Sequence, residues 1–352
     1  MKRFKSITAL FLVMVCIATC FSGCTKTTAT ETKEPTERTV TDMAGRTVTL
    51  PAEINKIGTF GAIGVLNTFV ETMGAGEKIC NEGSPSFLKS PSWAKYQYLF
   101  APQLPNCPAF QGADGEILME NVLTAKPDLC LTMDAAVTQQ LEAQGLNVIQ
   151  LSWTETKDVE KCITLLGEVL NEEDVAKDYL KYFDQMVTEA EKLTKNIKEE
   201  DKKKVAYGTI SEFTQPHIIA EWWIPEAGGI SVTSAARIGN SKEKLVYTME
   251  DLLQWNPDVM IVASKTEKET IQNDVRLVDI TAVKNGAIYV IPRVAHVWGN
   301  RTTEQPLTIM WTMNKLYPEI MTNEALAEDI SYFYSHFLKY DFTDEQIKEI
   351  IS

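Results

Sequence analysis

Short, mostly apolar runs punctuate this chain at Ile54–Thr59, Leu129–Met133 and Val148–Leu151, and again at Val205–Ile210, Val259–Ala263 and Ala287–Ile291. Runs of this kind, apolar on both faces, are what strands inside a parallel sheet look like. Between the two sets the pattern changes. From Asp158 to about Lys198 the chain is charged, and Leu165, Leu166, Val169, Val175, Tyr179, Tyr182, Met186 and Leu193 recur at helical spacing. Gly167 and Asn171 interrupt that spacing, so a short helix should precede a long one running from about Glu172 to Ile197. The last thirty or so residues also read as helical.

Two stretches repeat each other. Met119-Glu120-Asn121-Val122-Leu123 leads through Lys126-Pro127-Asp128 into Leu129-Cys130-Leu131, and Met249-Glu250-Asp251-Leu252-Leu253 leads through Asn256-Pro257-Asp258 into Val259-Met260-Ile261. In each, helix formers give way to proline, whose ring and missing N–H end a helix, then to a turn aspartate and a buried strand. The expected organisation is α/β: two Rossmann-like lobes, 39–155 and 201–352, joined by a single long α-helix within 156–200, with terminal helices on the second lobe.

The first residues belong to neither lobe. Met1 to Lys5 is basic, Ile7 to Phe21 is mostly apolar but too short for a good membrane span, and Ser22-Gly23-Cys24 follows. Residues 1–23 read as a secretory signal, with Cys24 the lipidated residue of a bacterial lipoprotein and 24–38 a polar tether. Removing Lys2, Arg3 and Lys5 takes the net charge from −14 to −17. Such an acidic domain does not bind nucleic acid or anionic lipid through bulk charge, so a lipid rather than a basic patch holds it at the membrane.

Cys80, Cys107, Cys130 and Cys162 remain in the mature chain, none in Cys-x-x-Cys spacing. That excludes an ordinary structural zinc site and leaves a Cys80–Cys107 disulfide open. Gly58-x-x-Gly61-x-x-Gly64 lacks dinucleotide-site spacing, and there is no phosphate loop and no Gly-x-Ser-x-Gly elbow. No nucleophile–base constellation points to an enzyme.

Taken in order, Val40-Thr41-Asp42-Met43-Ala44-Gly45-Arg46, the Glu…Lys-Pro-Asp-Leu segment, the helical connector, the Glu…Asn-Pro-Asp-Val segment, Tyr289-Val290-Ile291-Pro292 and Trp311…Lys315-Leu316-Tyr317-Pro318 resemble the class III substrate-binding proteins of ABC importers, those for iron–siderophore complexes, vitamin B12 and haem. The resemblance spans nearly the whole mature chain. It implies an extracytoplasmic, lipid-anchored, monomeric receptor without intrinsic cofactor or catalysis. Such a receptor holds a metal chelate between its lobes and delivers it to permease subunits driven by a cytoplasmic ATPase. By motif match, Glu120 and Glu250 are the permease-docking residues.

Ligand contacts are expected in the loops after the strands. In the first lobe they are Phe60, Trp93, Tyr96 and Asp134. In the second they are His217, Trp222, and, in the loop from Arg293 to Arg301, His296, Trp298 and Arg301. Tryptophan offers a flat face, arginine a fork for carboxylate or oxyanion, and histidine a metal ligand. Each also has a packing alternative; Arg301, for example, has Glu304 three residues on. His336, near the C-terminus, reads as structural. The aromatics favour a ferric siderophore, haem or cobalamin. With His217, His296 and His336 as its only histidines, the chain is a poor free-metal binder, while a nickel chelate, a small oxyanion or a sensing role stays open.

Overall fold

Two small parallel sheets with one connectivity organise the chain. A computed structural model describes residues 37–83 and 91–352. The signal segment, Cys24 and the tether as far as Thr36 lie outside the described residues, as does the side chain of Trp93. The first sheet has the order β3 (Ile57–Phe60), β4 (Leu129–Thr132), β5 (Val148–Gln150), all parallel, and Ile79 bridges to Ile57 on the free edge of β3. The second runs β8 (Ile230–Ser231), β6 (Lys204–Gly208), β10 (Val259–Val262), β11 (Ile288–Val290), also parallel. With Ile79 counted as an edge position, the two orders match. Between β6 and β10, β7 (Thr214–Gln215) and β9 (Leu245–Val246) form an antiparallel pair.

A hairpin of β1 (Glu37–Thr41) and β2 (Thr47–Pro51) precedes the first sheet, and its Asp-x-x-Gly-Arg turn is a fastening. Gly45 takes φ +77°, and the buried Asp42 carboxylate accepts the N–H groups of Ala44, Arg46 and Gln150 at 2.9–3.0 Å. Arg46 pairs with Asp42 and reaches across to Glu142 and the carbonyl of Val148. One ion pair thereby ties the hairpin to β5.

The helices of the first half are α1 (Ile63–Thr72), α2 (Pro91–Phe100), α3 (Met119–Ala125) and α4 (Ala135–Glu142). The connector is α5 (Asp158–Leu170) followed by the 22-residue α6 (Glu173–Thr194). The second half adds α7 (Ala220–Glu226), α8 (Ser234–Arg237), α9 (Met249–Trp255), α10 (Lys265–Asn273) and α11 (Thr281–Lys284), then the terminal α12 (Gln305–Leu316), α13 (Asn323–His336) and α14 (Asp344–Ile351).

The connector breaks at the predicted place. Asn171 closes α5 in the left-handed region, φ 59°. Beyond the corner α6 packs on α12, while α5 touches α1. At the crossing a Cβ on Gly167 would sit 2.6 Å from the Ala176 Cβ and 3.2 Å from the Glu173 Cα. Backbone cannot retreat as a side-chain tip can. Gly167→Ala should therefore destabilise the chain: overpacking of about 1–3 kcal/mol outweighs a helix-propensity gain of about 1 kcal/mol. Thermal denaturation followed by circular dichroism checks this, and a raised melting temperature would refute it.

The repeated segments are the same structural unit. From Met119 to Met133 and from Met249 to Ala263, buried, half-buried and exposed positions coincide one for one. Helices α3 and α9 both end on a left-handed residue, Lys126 (φ 53°) and Asn256 (φ 44°). Each following aspartate then clasps the start of the neighbouring strand. Asp128 donates its N–H to the Lys56 carbonyl at 2.9 Å, and its carboxylate accepts the N–H of Lys56 at 2.9 Å. Asp258 does the same to Lys204, at 2.9 and 2.8 Å. The inward residues Val122 and Leu252 are fully buried, each in the core on the outer face of its own sheet. A larger core runs from the hairpin through α1, α5 and α6 to α12, α13 and α14, so the two halves share one apolar interior.

Candidate functional site

The loops after the strand ends hold most of the residues expected at a ligand, but the structure uses many of them internally. In the first half, Phe60 is fully buried and stacks on Phe110, centroids 5.6 Å apart. Asp134 caps α4, accepting the N–H groups of Ala136 and Val137 at 2.7 and 3.0 Å. Phe60 has no free face, a correction to its ligand role; Asp134 stays exposed, with Oδ1 engaged by the helix it starts. Tyr96 does reach a cavity, with its ring edge against Phe342 and the Lys95 ammonium 4.9 Å above it.

In the second half, Trp298 is a further correction. It is 0% exposed, and its indole N–H is directed to Glu304 Oε1 at 3.0 Å and to the Tyr334 hydroxyl at 3.2 Å. Trp222 stacks on Phe183 of α6, rings 5.8 Å apart and 7° from parallel. His296 is buried, and its Nδ1 accepts the Val297 N–H at 2.7 Å. Burial lowers the His296 pKa to about 4, so the ring is neutral.

His217 and Arg301 do come together, on a residue that sequence reasoning passed over. The Arg301 guanidinium forks onto both Glu243 oxygens, at 2.6 and 2.9 Å, and His217 Nδ1 lies 3.2 Å from the same carboxylate. Arg301 does not pair with Glu304. Burial pushes the Glu243 pKa up, but Arg301 and His217 pull harder, leaving it below its ordinary value. Burial also lowers His217 against the pull of Glu243, so His217 is an unprotonated imidazole at neutral pH. Glu243 stands in the exposed stretch Gly239-Asn240-Ser241-Lys242-Glu243-Lys244, where nothing in the sequence distinguishes it from a solvated charge.

Glu304 is the second residue missed. It is 0% exposed at the start of α12. Its carboxylate accepts the N–H groups of Ala295 and His296 at 2.9 and 2.8 Å, the Trp298 indole, and the Tyr334 hydroxyl. Desolvation raises its pKa to about 7 despite those four donors. Beside it the two halves meet: Thr72 of α1 bonds the Thr303 hydroxyl at 2.7 Å, Tyr179 of α6 donates to the Thr303 carbonyl at 2.9 Å, and Gln97 of α2 donates to the Ala295 carbonyl. The loop from Arg293 to Arg301, expected to supply three ligand contacts, is thus chiefly a buried polar seam.

A cavity of about 630 Å³ opens at the carboxyl ends of β10 and β11, between these strands and α2 and α14. Lys265, Lys268 and Arg293 bring positive charge to it and Glu269 negative charge; Lys95 enters already paired with Glu349 at 2.6 Å. Among the described residues no group of three or more His, Cys, Asp or Glu side chains is placed to hold a metal ion. Cys80 and Cys107 are free thiols. No described helix is long and apolar enough to cross a membrane.

Glu120 and Glu250 are exposed in the first turns of α3 and α9. Helix α9 opens on a capping box in which Thr248 accepts the Asp251 N–H at 3.1 Å and Asp251 answers at 2.8 Å. Neither glutamate is in an ion pair among the described residues.

Comparison with known proteins places this geometry. A family model described as periplasmic binding protein matches residues 95–295. The chain is 26% identical over 336 residues to the molybdate-binding protein MolA of Haemophilus influenzae, covering 86% of this chain and 91% of that protein. Its fold is similar to the crystal structure of a periplasmic solute binding protein from Veillonella parvula, with TM-score 0.76, 23% identity, and coverage of 89% of this chain and 96% of that one. It is also similar to molybdate-bound MolA, with TM-score 0.74, 20% identity, and coverage of 87% and 99%.

Proposed function

Because the chain belongs to the periplasmic binding protein family, we propose that it captures a small anion between its two α/β halves and hands it to an ABC permease. Its place is that of the extracytoplasmic solute-binding component of an importer, and it is not an enzyme. In this reading Cys24 carries the lipid anchor, residues 25–38 tether the domain as a monomer, and Glu120 and Glu250 meet the permease.

The observation that carries the cargo assignment is the fate of the aromatic side chains. Haem or cobalamin needs open flat faces, but Trp298 is enclosed, Trp222 lies against Phe183, and Phe60 against Phe110. The cavity at the strand ends is mixed, with Arg293, Lys265 and Lys268 set among Glu269, Tyr96 and the apolar Val290 and Ile291, and the Arg301–Glu243–His217 chain is a second polar cluster of this half. Fixed cations and N–H donors suit a compact oxyanion. The volume does not discriminate, since the cavity exceeds what an oxyanion needs; the cations beside it support the choice. Similarity to a molybdate-binding protein supports the same choice. A compact nickel chelate is the second reading, favoured by the neutral, half-exposed imidazole of His217.

Isothermal titration against molybdate, nickel–histidine, a ferric siderophore, haem and cobalamin separates these. Molybdate should bind with a Kd of about 1 μM or tighter, near −8 kcal/mol. Haem, cobalamin or the siderophore binding more tightly than molybdate would overturn the oxyanion assignment.

A further inference from the structure

We propose that Leu123 and Leu253 are the apolar half of a duplicated docking device, each half of the protein presenting to the importer's permease one carboxylate and one leucine a turn apart. The inference rests on the docking role given above to Glu120 and Glu250.

Single exposed leucines need no explanation. These two are different because they are the same residue twice. Leu123 is 40% exposed and Leu253 is 42% exposed. They stand at equivalent positions of the repeated unit, each three residues after its glutamate and so on the same helix face. The residue before each, Val122 and Leu252, already fills the core, so the fold's demand for apolar burial on α3 and α9 is met without them.

What covers such a surface must offer a guanidinium beside an apolar hollow, and must offer it twice. Two identical or pseudo-identical permease subunits meet that condition with one site each. The halves of the device act differently. Carboxylates on an acidic chain give attraction that salt screens, whereas burying leucine is insensitive to screening.

The test uses the full-length protein with molybdate as probe and its own importer in nanodiscs, with docking followed by fluorescence anisotropy. From the area each leucine still exposes, Leu123→Ser and Leu253→Ser should each weaken docking about tenfold, and together about a hundredfold. The deficit should persist at about 0.5 M salt, while the deficit of Glu120→Gln with Glu250→Gln should shrink there. Leu123→Ala and Leu253→Ala, with melting curves, guard against misfolding. Wild-type docking by the double leucine variants, with the glutamine variants impaired, would overturn the leucine role alone. Failure of the wild-type protein to dock at all would overturn the transport reading on which it rests. Self-association of the wild type, lost in the leucine variants, would assign this face to a second copy and overturn the proposal.

Discussion

Glu304→Ala should be the most damaging single substitution in the chain, lowering stability by about 3–5 kcal/mol. The carboxylate closes four hydrogen bonds inside the protein, to Ala295, His296, Trp298 and Tyr334. Alanine takes the acceptor from the Ala295 and His296 N–H groups and the Tyr334 hydroxyl, leaves the Trp298 indole only the Tyr334 oxygen, and also empties the space. Glu304→Gln should be intermediate, because its carbonyl keeps part of the set while its amide opposes the rest. Urea denaturation measures both; a loss below about 1 kcal/mol for alanine would show that the seam is not held this way.

The same group gives stability a pH dependence. Burial raises the Glu304 pKa from its ordinary 4.5 to about 7 in the folded state. Between those values the folded chain holds the proton more tightly than the unfolded one. The group's contribution is therefore fully present below about pH 4.5 and is lost as pH rises through about 7. Glu71, fully buried and within the electrostatic reach of Glu304, is raised by burial first and by that charge second, and acts in the same direction. The urea midpoint should fall between pH 5 and pH 8, by less in Glu304→Gln than in the wild type.

If the proposed docking role holds, reversing the charge of Glu120 and Glu250 together, Glu120→Arg with Glu250→Arg, should abolish stimulation of the transporter's ATPase. Each wild-type carboxylate facing a guanidinium contributes about 1.5–3 kcal/mol, so losing both weakens docking by roughly two to four orders of magnitude before repulsion is added. Each single reversal should leave partial stimulation. Molybdate affinity should be retained, since α3 and α9 contribute nothing to the cavity. Undiminished stimulation by the double variant would remove both glutamates from the interface.

The fold was legible because its strands are buried on both faces, a demand met by runs such as Val259-Met260-Ile261-Val262 that few other environments require. The break at Asn171 was legible because local backbone chemistry decides it. Two-residue β8 and the single bridge at Ile79 left no pattern to read. The site was harder, because recognition and internal fastening use the same residue types. Trp298 and His296 look like ligand contacts until Tyr334, far along the chain, and Glu304 turn them inward. Arg301 has an acid three residues away but takes Glu243, 58 positions earlier.

The aspartate clasps have one more consequence. Asp128 and Asp258 lock the starts of β3 and β6 to the units that carry α3 and α9. Each of these helices is consequently bolted to a sheet and travels with it. The span from Glu120 to Glu250 is then a caliper reading: it changes when one sheet turns against the other and stays fixed when loops rearrange. A pair of spin labels on those helices would register sheet rotation directly, and a permease gripping both ends would be gauging the set of the two cores.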